Sequence, residues 1–507
     1  MGGFNLLHSS TYEKLSSSEK GPNMFFRLIL IALTLGFGFQ TQVAADWNNS
    51  KPKKIEDIPP FALDNFSPAQ KVITSVQDRD YSFCSSNNLD WTGAEIWNLE
   101  KFKEKYEDYF SADYVETFEN TETGKLIAGK EVYSSFEDGL IQYTFEMQGQ
   151  HHRCLHNQDK TSCGKLIEIT SDLANSNAAT KPSSNIKNTD IPFTTIQKFL
   201  IPTIIGYSTA VQVLGVPENH KEIGEWFNAT FNANVLDTKT GRGIDLFRDK
   251  SALKPEKKKF GCFLAAQNHS LQSGFLYMAH SAIWGDIEQL LIGIDQLQLT
   301  LKSIRPDGAL PCEVARGPNS LFYSGATIHT MLQMLHLMSL NGIKYEEFID
   351  LESLHRAASF QFESGIKPKN LEKYTKTFQE NVWCKPYKGT SGQCMYQRPK
   401  RNVSFGWIQL YIKLFPNHEN TKLINATFEK FQTEVLLDPI KKLNLNAIFQ
   451  PNQTKSTLKN NYEDIVESWE TNGRKEDGSM IHFNDTSDWG RGSPLCLYGL
   501  SSDFSAK

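Results

Sequence analysis

The sequence has little net charge and few cysteines. Its 507 residues carry 53 Lys and Arg against 58 Asp and Glu, which gives a formal net charge of −5. This balance gives no overall attraction to nucleic acid or to anionic membranes, so we expect no nucleic acid partner. An anionic ligand would need a local basic site. With 39% hydrophobic residues, the chain has the composition of a globular protein with a large core.

Long hydrophobic runs are also rare, and the clearest one lies near the start of the chain. Arg27 precedes an apolar stretch at residues 28–39, and small residues follow up to position 45. The stretch is too short for a comfortable membrane span, and its flanks are typical of a signal peptide. We therefore predict a signal peptide at residues 1–45, with Met24 as an alternative start. The mature chain is expected to be periplasmic or secreted, without stable membrane insertion.

Export would place the eight cysteines in an oxidising compartment, where disulfides can form. Cys262 and Cys312 lie in apolar contexts, where a buried free thiol is as good an interpretation as a disulfide. Two other pairs would each close a short polar loop; they are Cys154 with Cys163 and Cys384 with Cys394.

Histidines near Cys154 allow a second interpretation, a metal cluster. The set is His151, His152, Cys154, His156 and Cys163. It contains no C-x-x-C pair of the kind found in structural zinc sites, so we predict neither a metal nor a cofactor.

Apolar residues recur at three- and four-residue steps through the middle of the chain. This periodicity is typical of amphipathic helices, whereas strand-like alternation is confined to short pieces such as residues 140–145. The fold class predicted from this pattern is all-α. The predicted helices are 194–213, 218–233, 271–284, 286–302 and 325–340.

The connections between these helices are short and contain Gly, Pro, Asn and Asp, as at 285–286, 305–308 and 341–342. Such connections are typical of antiparallel helical hairpins, which stack into solenoids or toroids. We predict an extended arm at 46–66 and one all-α domain at 67–507, with a cleft on one rim.

A polar triplet, Asn268-His269-Ser270, interrupts the small and apolar residues of AAQNHSLQSGFL. Its local interpretation is a helix start, because Asn and Ser are common at helix N-termini. Arg316 follows Asn268 by 48 residues, and Tyr323 follows Arg316 by seven. The first interval is long enough for two helices and two turns. In a stack of hairpins, this length brings the chain back to the same rim. The four residues Asn268, His269, Arg316 and Tyr323 can therefore face one cleft.

With these residues the sequence resembles the alginate lyase family of polysaccharide lyases, particularly the mannuronate lyases. GALPCE before the arginine, SLFYS around the tyrosine and FGWIQLYIKLFPN at 405–417 add to the likeness. The resemblance implies an incomplete α/α toroid and a lyase acting on an anionic polysaccharide, above all polymannuronate. Three departures concern the substrate: Gln267 replaces a common Asn, Gly317-Pro318-Asn319 replaces a basic stretch after the arginine, and Ser324 replaces a common His. Related lyases cut glucuronate polymers such as glucuronan instead.

The chemistry implied by this resemblance is β-elimination, which removes the C5 proton of a uronate and expels the C4 oxygen. The neighbouring carboxylate must be neutralised, and Asn268 and Arg316 are suited to donate to it. In mannuronate both reacting groups lie on one face of the sugar, so Tyr323 can act as base and then as acid, helped by the nearby cation. His269 is expected to help hold the carboxylate, and to be the base on guluronate.

Structural interpretations stand beside these roles. Arg316 can pair with Glu313 across one helical turn, and His269 and Tyr323 can be hydrogen-bonded core residues. A glycoside hydrolase on a similar scaffold would need two carboxylic acids, for which Glu313 and Asp307 are the nearest candidates.

A non-catalytic carbohydrate-binding protein is the other alternative. It would bind through the same polar group and through exposed aromatic residues. We predict three further substrate contacts, Trp407, Trp489 and Arg491, and a monomeric state.

Overall fold

A computed structural model describes part of the domain, all of it within the unit Pro52–Lys507. The described residues are 98–112, 139–140, 143–144, 146–147, 149–151, 153–155, 158–181, 195–235, 261–262, 266–316, 320–366, 368–371, 374 and 407–426. The predicted signal peptide at 1–45 and arm at 46–66 lie outside them, as do Cys384, Cys394, Trp489 and Arg491.

The described residues are about 80% helical and contain no strand, which confirms the all-α class. A π-helix, Ile196–Leu200, leads into α3, and short 3₁₀ helices occupy Glu107–Phe110, Tyr345–Glu347 and Pro368–Leu371. The α-helices, numbered along the chain, are α1 Leu99–Lys105, α2 Lys160–Asn175, α3 Ile201–Leu214, α4 His220–Val235, α5 Asn268–Trp284, α6 Ile287–Ser303, α7 Pro311–Val314, α8 Ser320–Leu340, α9 Leu351–Ile366 and α10 Trp407–Leu414.

Helix α5 is the central element of the described part. Every residue from Ser270 to Ile283 is buried, because α5 packs against α3, α4, α6 and α8. A helix that is buried on all sides in this way belongs to the core of a large domain. None of the described helices is both long and apolar enough to cross a membrane.

Helices α5 and α6 form one of the predicted hairpins. Gly285 ends α5 in the left-handed conformation, with a φ of 80°, which glycine adopts without the steric penalty of a side chain. The carboxylate of Asp286 then caps α6 by accepting the Gln289 backbone N–H at 3.2 Å. Predicted helix boundaries at this turn are therefore confirmed.

Two glycines allow the backbones of α5 and α6 to approach closely. A Cβ atom on Gly293 would lie 2.8 Å from the carbonyl oxygen of Gly274, and one on Gly274 would lie 2.8 Å from the Cβ of Gln296. Such contacts are closer than packed carbon atoms tolerate. The N-terminus of α5 is thus carried on a rigid pair of helices.

The structure corrects the strand predicted at residues 140–145. Leu140, Tyr143 and Thr144 are helical and buried, and Met147 continues the same buried face. Their spacing of three and four residues places the side chains on one side of a helix. The short apparent alternation was too brief to separate a strand from a buried helical turn.

The disulfide predicted between Cys154 and Cys163 is confirmed. Both sulfur atoms are therefore bonded to each other and neither can act as a metal thiolate, which removes the cysteines from the alternative metal cluster. The bond joins the helical segment around Cys154 to the first turn of α2.

Candidate active site

The predicted helix start at the polar triplet is confirmed, since α5 begins at Asn268. Gln267 occupies the position before the helix with extended backbone, and its side chain makes no cap hydrogen bond. The first backbone N–H groups of a helix have no partner inside the helix and carry partial positive charge. The start of α5 therefore favours an anionic partner.

That partner is the side chain of Glu313, which lies 45 residues further along the chain in the short helix α7. The backbone N–H of Asn268 donates to Oε1 of Glu313 at 2.9 Å. The side-chain Nδ2 of Asn268 donates to Oε2 at 3.0 Å. Asn268 thus binds both carboxylate oxygens, which fixes the first turn of α5 against α7.

Arg316 joins the same carboxylate from the other side. Its Nε donates to Oε2 of Glu313 at 3.0 Å. One of its terminal nitrogens lies 3.4 Å from Nε2 of His269, and its guanidinium carbon lies 4.1 Å from the centre of the Tyr323 ring. A single guanidinium therefore contacts three side chains, and the structure brings all four predicted residues together.

Exposure divides this cluster into two layers. The side chain of Glu313 is 1% exposed and Asn268 is fully buried, whereas the side chain of Arg316 is 28% exposed. His269 and Tyr323 are half-buried. A ligand in solvent would therefore meet the outer layer of Arg316, His269 and Tyr323 first.

Burial has an electrostatic effect on Glu313. It raises the pKa of this carboxyl, because water no longer solvates the charge, while the Arg316 cation and the two Asn268 donors act in the opposite direction. An ionised carboxylate that accepts three donors has most of its hydrogen-bonding capacity satisfied without water. Arg316 and Glu313 therefore form a partly buried ion pair that joins the outer layer to the buried one.

A disulfide between Cys262 and Cys312 links the two halves of the site. Sequence context allows either a free thiol or a disulfide here, and the structure contains the disulfide. Cys262 lies six residues before Asn268, and Cys312 immediately precedes Glu313. The bond therefore anchors both sides of the Asn268–Glu313 contact covalently.

The start of α8 positions Tyr323. The hydroxyl of Ser320 donates to the carbonyl oxygen of Val314 at 3.0 Å, which joins the first residue of α8 to the last residue of α7. Tyr323 follows within the first turn of α8. The observed α8 begins five residues earlier than the predicted start at 325, so Tyr323 lies on a helix and not in the preceding loop.

Trp407 is not a substrate contact in this structure. It is fully buried in α10 and its ring packs edge-on against Tyr411, with 5.8 Å between the ring centres. A sugar needs an exposed aromatic face for stacking, so Trp407 is corrected to a core residue. Trp489 and Arg491, the other two predicted contacts, stay predictions.

The role of Glu313 was not recognised from sequence. It appeared there only as a partner for Arg316 across one turn and as a candidate acid, whereas its contact with Asn268 spans 45 residues. The GALPCE segment that contains it was the available signal. Within the described residues, no group of three or more His, Cys, Asp or Glu side chains is arranged to hold a metal ion.

Residues 245–371 match the family model described as alginate lyase, and this segment contains the whole cluster. Over this segment, which is about a quarter of the chain, the protein is similar to the alginate lyase family. The incomplete α/α toroid expected from the sequence is built of antiparallel helical hairpins, and α5–α6 is one such hairpin among the described residues. A sequence search of curated proteins finds no match to this chain.

Solved structures of alginate lyase A1-III are similar to this chain at low identity. A Tyr-to-Phe variant complexed with tetrasaccharide is 15% identical, with 72% of this chain and 93% of that chain covered and a TM-score of 0.45. The enzyme from Sphingomonas species A1 is 13% identical, with the same coverage and TM-score. A His-to-Ala variant complexed with tetrasaccharide is 15% identical, with 72% and 92% covered and a TM-score of 0.45.

Proposed function

We propose that this protein is a polysaccharide lyase that cleaves polymannuronate by β-elimination and leaves 4,5-unsaturated ends. One observation carries the proposal: the half-exposed guanidinium of Arg316 contacts both His269 and Tyr323. A cation beside a base and a phenol is the combination that β-elimination from a uronate requires. The family match over residues 245–371 supports this assignment.

Arg316 is proposed to neutralise the uronate carboxylate. Its Nε is bound by Glu313, which leaves the outer N–H groups of the planar guanidinium to donate to an incoming carboxylate. Removal of the C5 proton moves further negative charge onto that carboxylate. Each preorganised donor aimed at such charge is typically worth about 3 to 4 kcal/mol in the transition state.

Tyr323 is proposed to move the proton. As a phenolate it accepts the C5 proton, the C–H electron pair forms the C4=C5 double bond, and the C4–O4 bond breaks. The phenol then returns the proton to O4, so that no water is consumed. His269 helps Arg316 hold the carboxylate on mannuronate, and it is the base in the alternative case of guluronate, where the reacting groups lie on opposite faces.

The hydrolase alternative receives less support from the two carboxylates that it requires. Glu313 is buried and bound by Asn268 and Arg316, and Asp307 accepts a hydrogen bond from the hydroxyl of Tyr374. A glycosidase needs one such group as acid and another facing the bond or a water. Another polyuronate, such as glucuronan, remains the alternative substrate within the lyase assignment.

The proposal is tested by ultraviolet absorbance of the purified protein with polymannuronate, polyguluronate and glucuronan, each with and without a chelator. We expect absorbance from unsaturated ends to rise on polymannuronate, with no effect of the chelator. A rise in absorbance on glucuronan alone would support the lyase assignment but identify glucuronan, and not polymannuronate, as the substrate. Saturated new reducing ends would identify a hydrolase, and binding without cleavage would identify a binding protein.

A further inference from the structure

We infer that Glu313 is a positioning residue that sets the direction of the substrate-binding guanidinium and offsets its positive charge, without touching substrate itself. The inference rests on the proposed function, in which Arg316 receives the uronate carboxylate. Glu313 is not one of the four residues of the sequence pattern, and that pattern assigns it no role.

The direction of Arg316 follows from its contacts. The guanidinium is bound at Nε by Oε2 of Glu313 at 3.0 Å, and the Tyr323 ring covers one of its faces at 4.1 Å. A planar group held at one edge and one face keeps its remaining edge in one orientation. Because Glu313 is itself bound by Asn268, it cannot follow Arg316 if the arginine moves.

His269 is positioned by the same carboxylate. Its chain neighbour Asn268 binds Glu313 through both its backbone N–H and its side chain, which fixes the first turn of α5. Nε2 of His269 then lies 3.4 Å from a terminal nitrogen of Arg316. Glu313 thus places two groups of the outer layer, one through hydrogen bonds to Arg316 and one through the backbone of α5.

The charge of Glu313 has a separate consequence. A polyuronate carries one negative charge per sugar, so an uncompensated cation would attract substrate and product alike. Binding that is equally strong before and during the reaction lowers KM without raising kcat. A buried carboxylate beneath Arg316 keeps its directed N–H donors while reducing this unspecific attraction.

Two variants should separate the effect of the Glu313 charge from its effect on the orientation of Arg316. Glu313→Gln removes the charge and one acceptor, and we expect kcat to fall roughly tenfold to a hundredfold while KM for polymannuronate at low salt falls or stays unchanged. Glu313→Asp keeps the charge with a shorter reach, so its kcat should fall while KM stays at the wild-type value. Glu352→Gln is the matched control, because it removes an exposed glutamate near Arg356.

Kinetics are normalised to the folded fraction measured by thermal unfolding. Wild-type kcat and KM in both Glu313 variants would overturn the inference, as would a loss that the folded fraction explains completely. If Glu313→Gln does not fold, Glu313→Asp alone decides between these outcomes.

A measurement without substrate separates failure of this inference from failure of the lyase assignment. Exchange of the Arg316 Nε proton with water is followed by NMR, with the signal assigned by its loss in Arg316→Lys. We expect exchange at least about tenfold faster in Glu313→Gln, because the acceptor at Oε2 is weakened. An unchanged rate refutes the positioning role even if the protein cuts no polymer; a faster rate supports it in the same case.

Discussion

Asn268 and Arg316 donate to the same oxygen atom of Glu313, each at 3.0 Å, although 48 residues separate them in the chain. The two halves of the candidate site are therefore one hydrogen-bonded unit. Residues that act as a unit lose function non-additively when they are replaced together. The variants below are best compared singly for this reason.

Replacement of Tyr323 by Phe removes the hydroxyl and leaves the ring over Arg316. Because the hydroxyl is proposed to carry the proton from C5 to O4, we expect kcat to fall roughly a hundredfold or more, with little change in polymannuronate affinity. Ultraviolet absorbance and calorimetric binding measure the two effects. Tyr345→Phe, at a buried tyrosine in a 3₁₀ turn, is the control, and equal activity in both variants would remove Tyr323 from the mechanism.

Arg316→Lys keeps the positive charge but loses the planar fork. A lysine cannot bind Glu313 through one nitrogen and present parallel donors to a carboxylate through others, so we expect kcat/KM to fall by roughly a hundredfold. Initial rates on polymannuronate test this, with circular dichroism to confirm folding. Activity near the wild-type value would mean that a point charge is sufficient at this position.

The two disulfides should differ in their effect on activity. Loss of the Cys262–Cys312 bond opens a loop with a sequence separation of 50, and chain entropy alone predicts a cost of about 4 kcal/mol. For Cys154–Cys163, with a separation of 9, the corresponding cost is about 3 kcal/mol. We expect the double Ser variant of the first pair to lose catalytic rate per folded molecule, since that bond flanks the Asn268–Glu313 contact.

The double Ser variant of the second pair serves as the control and should lose stability only. Unfolding in urea gives the stabilities, and rates normalised to folded protein give the activities. Equal normalised rates in both variants would show that hydrogen bonds hold the site without the covalent link.

Acid should destabilise the protein through buried neutral histidines. Burial lowers the pKa of His280 to about 4, whereas an unfolded histidine titrates near 6.5. The stabilisation from neutral His280 is therefore complete above pH ~6.5 and is lost as the pH falls towards ~4, on the order of 3 kcal/mol in total. The imidazole packs on Trp284, with 4.5 Å between ring centres, and its Nε2–H donates to the Gly224 carbonyl at 3.1 Å.

The measurement is the free energy of unfolding in urea across this pH range, for wild type and His280→Gln. Asp286 and His220 also act on this imidazole, the first raising and the second lowering its pKa. We expect the free energy of unfolding of His280→Gln to change less with pH than that of the wild type. Parallel curves for the two proteins would assign the acid sensitivity to other groups, such as His336, whose pKa burial lowers to about 3.

Local patterns were sufficient to predict the five central helices. The periodicity of α6 places Leu290, Ile294 and Leu297 on one buried face, and the Gly-Asp turn before it leaves the hairpin little freedom. The four-residue pattern predicted side chains that the structure brings together. These features depend on spacing along the chain, which the sequence displays directly.

Long-range pairings could not be predicted in the same way. The GALPCE segment marks Glu313 but does not show that its carboxylate binds the first turn of α5, because that contact depends on how two hairpins pack. The connectivity of Cys262 and Cys312 is likewise not determined by sequence. The predicted sugar contact at Trp407 is wrong because a tryptophan near a family motif has the same sequence appearance whether its ring faces solvent or the core.

The burial of Asn268 affects how this protein can be produced. Asn268-His269-Ser270 is an acceptor sequence for N-glycosylation, and the nitrogen that would carry the glycan is the Nδ2 atom that donates to Glu313. Once the domain has folded, that nitrogen is enclosed and beyond the reach of a glycosyltransferase. A chain modified before folding could not bury the sugar or form the contact. Expression in a eukaryotic secretory pathway therefore sets folding in competition with glycosylation, whereas a bacterial host lacking that modification leaves the site intact.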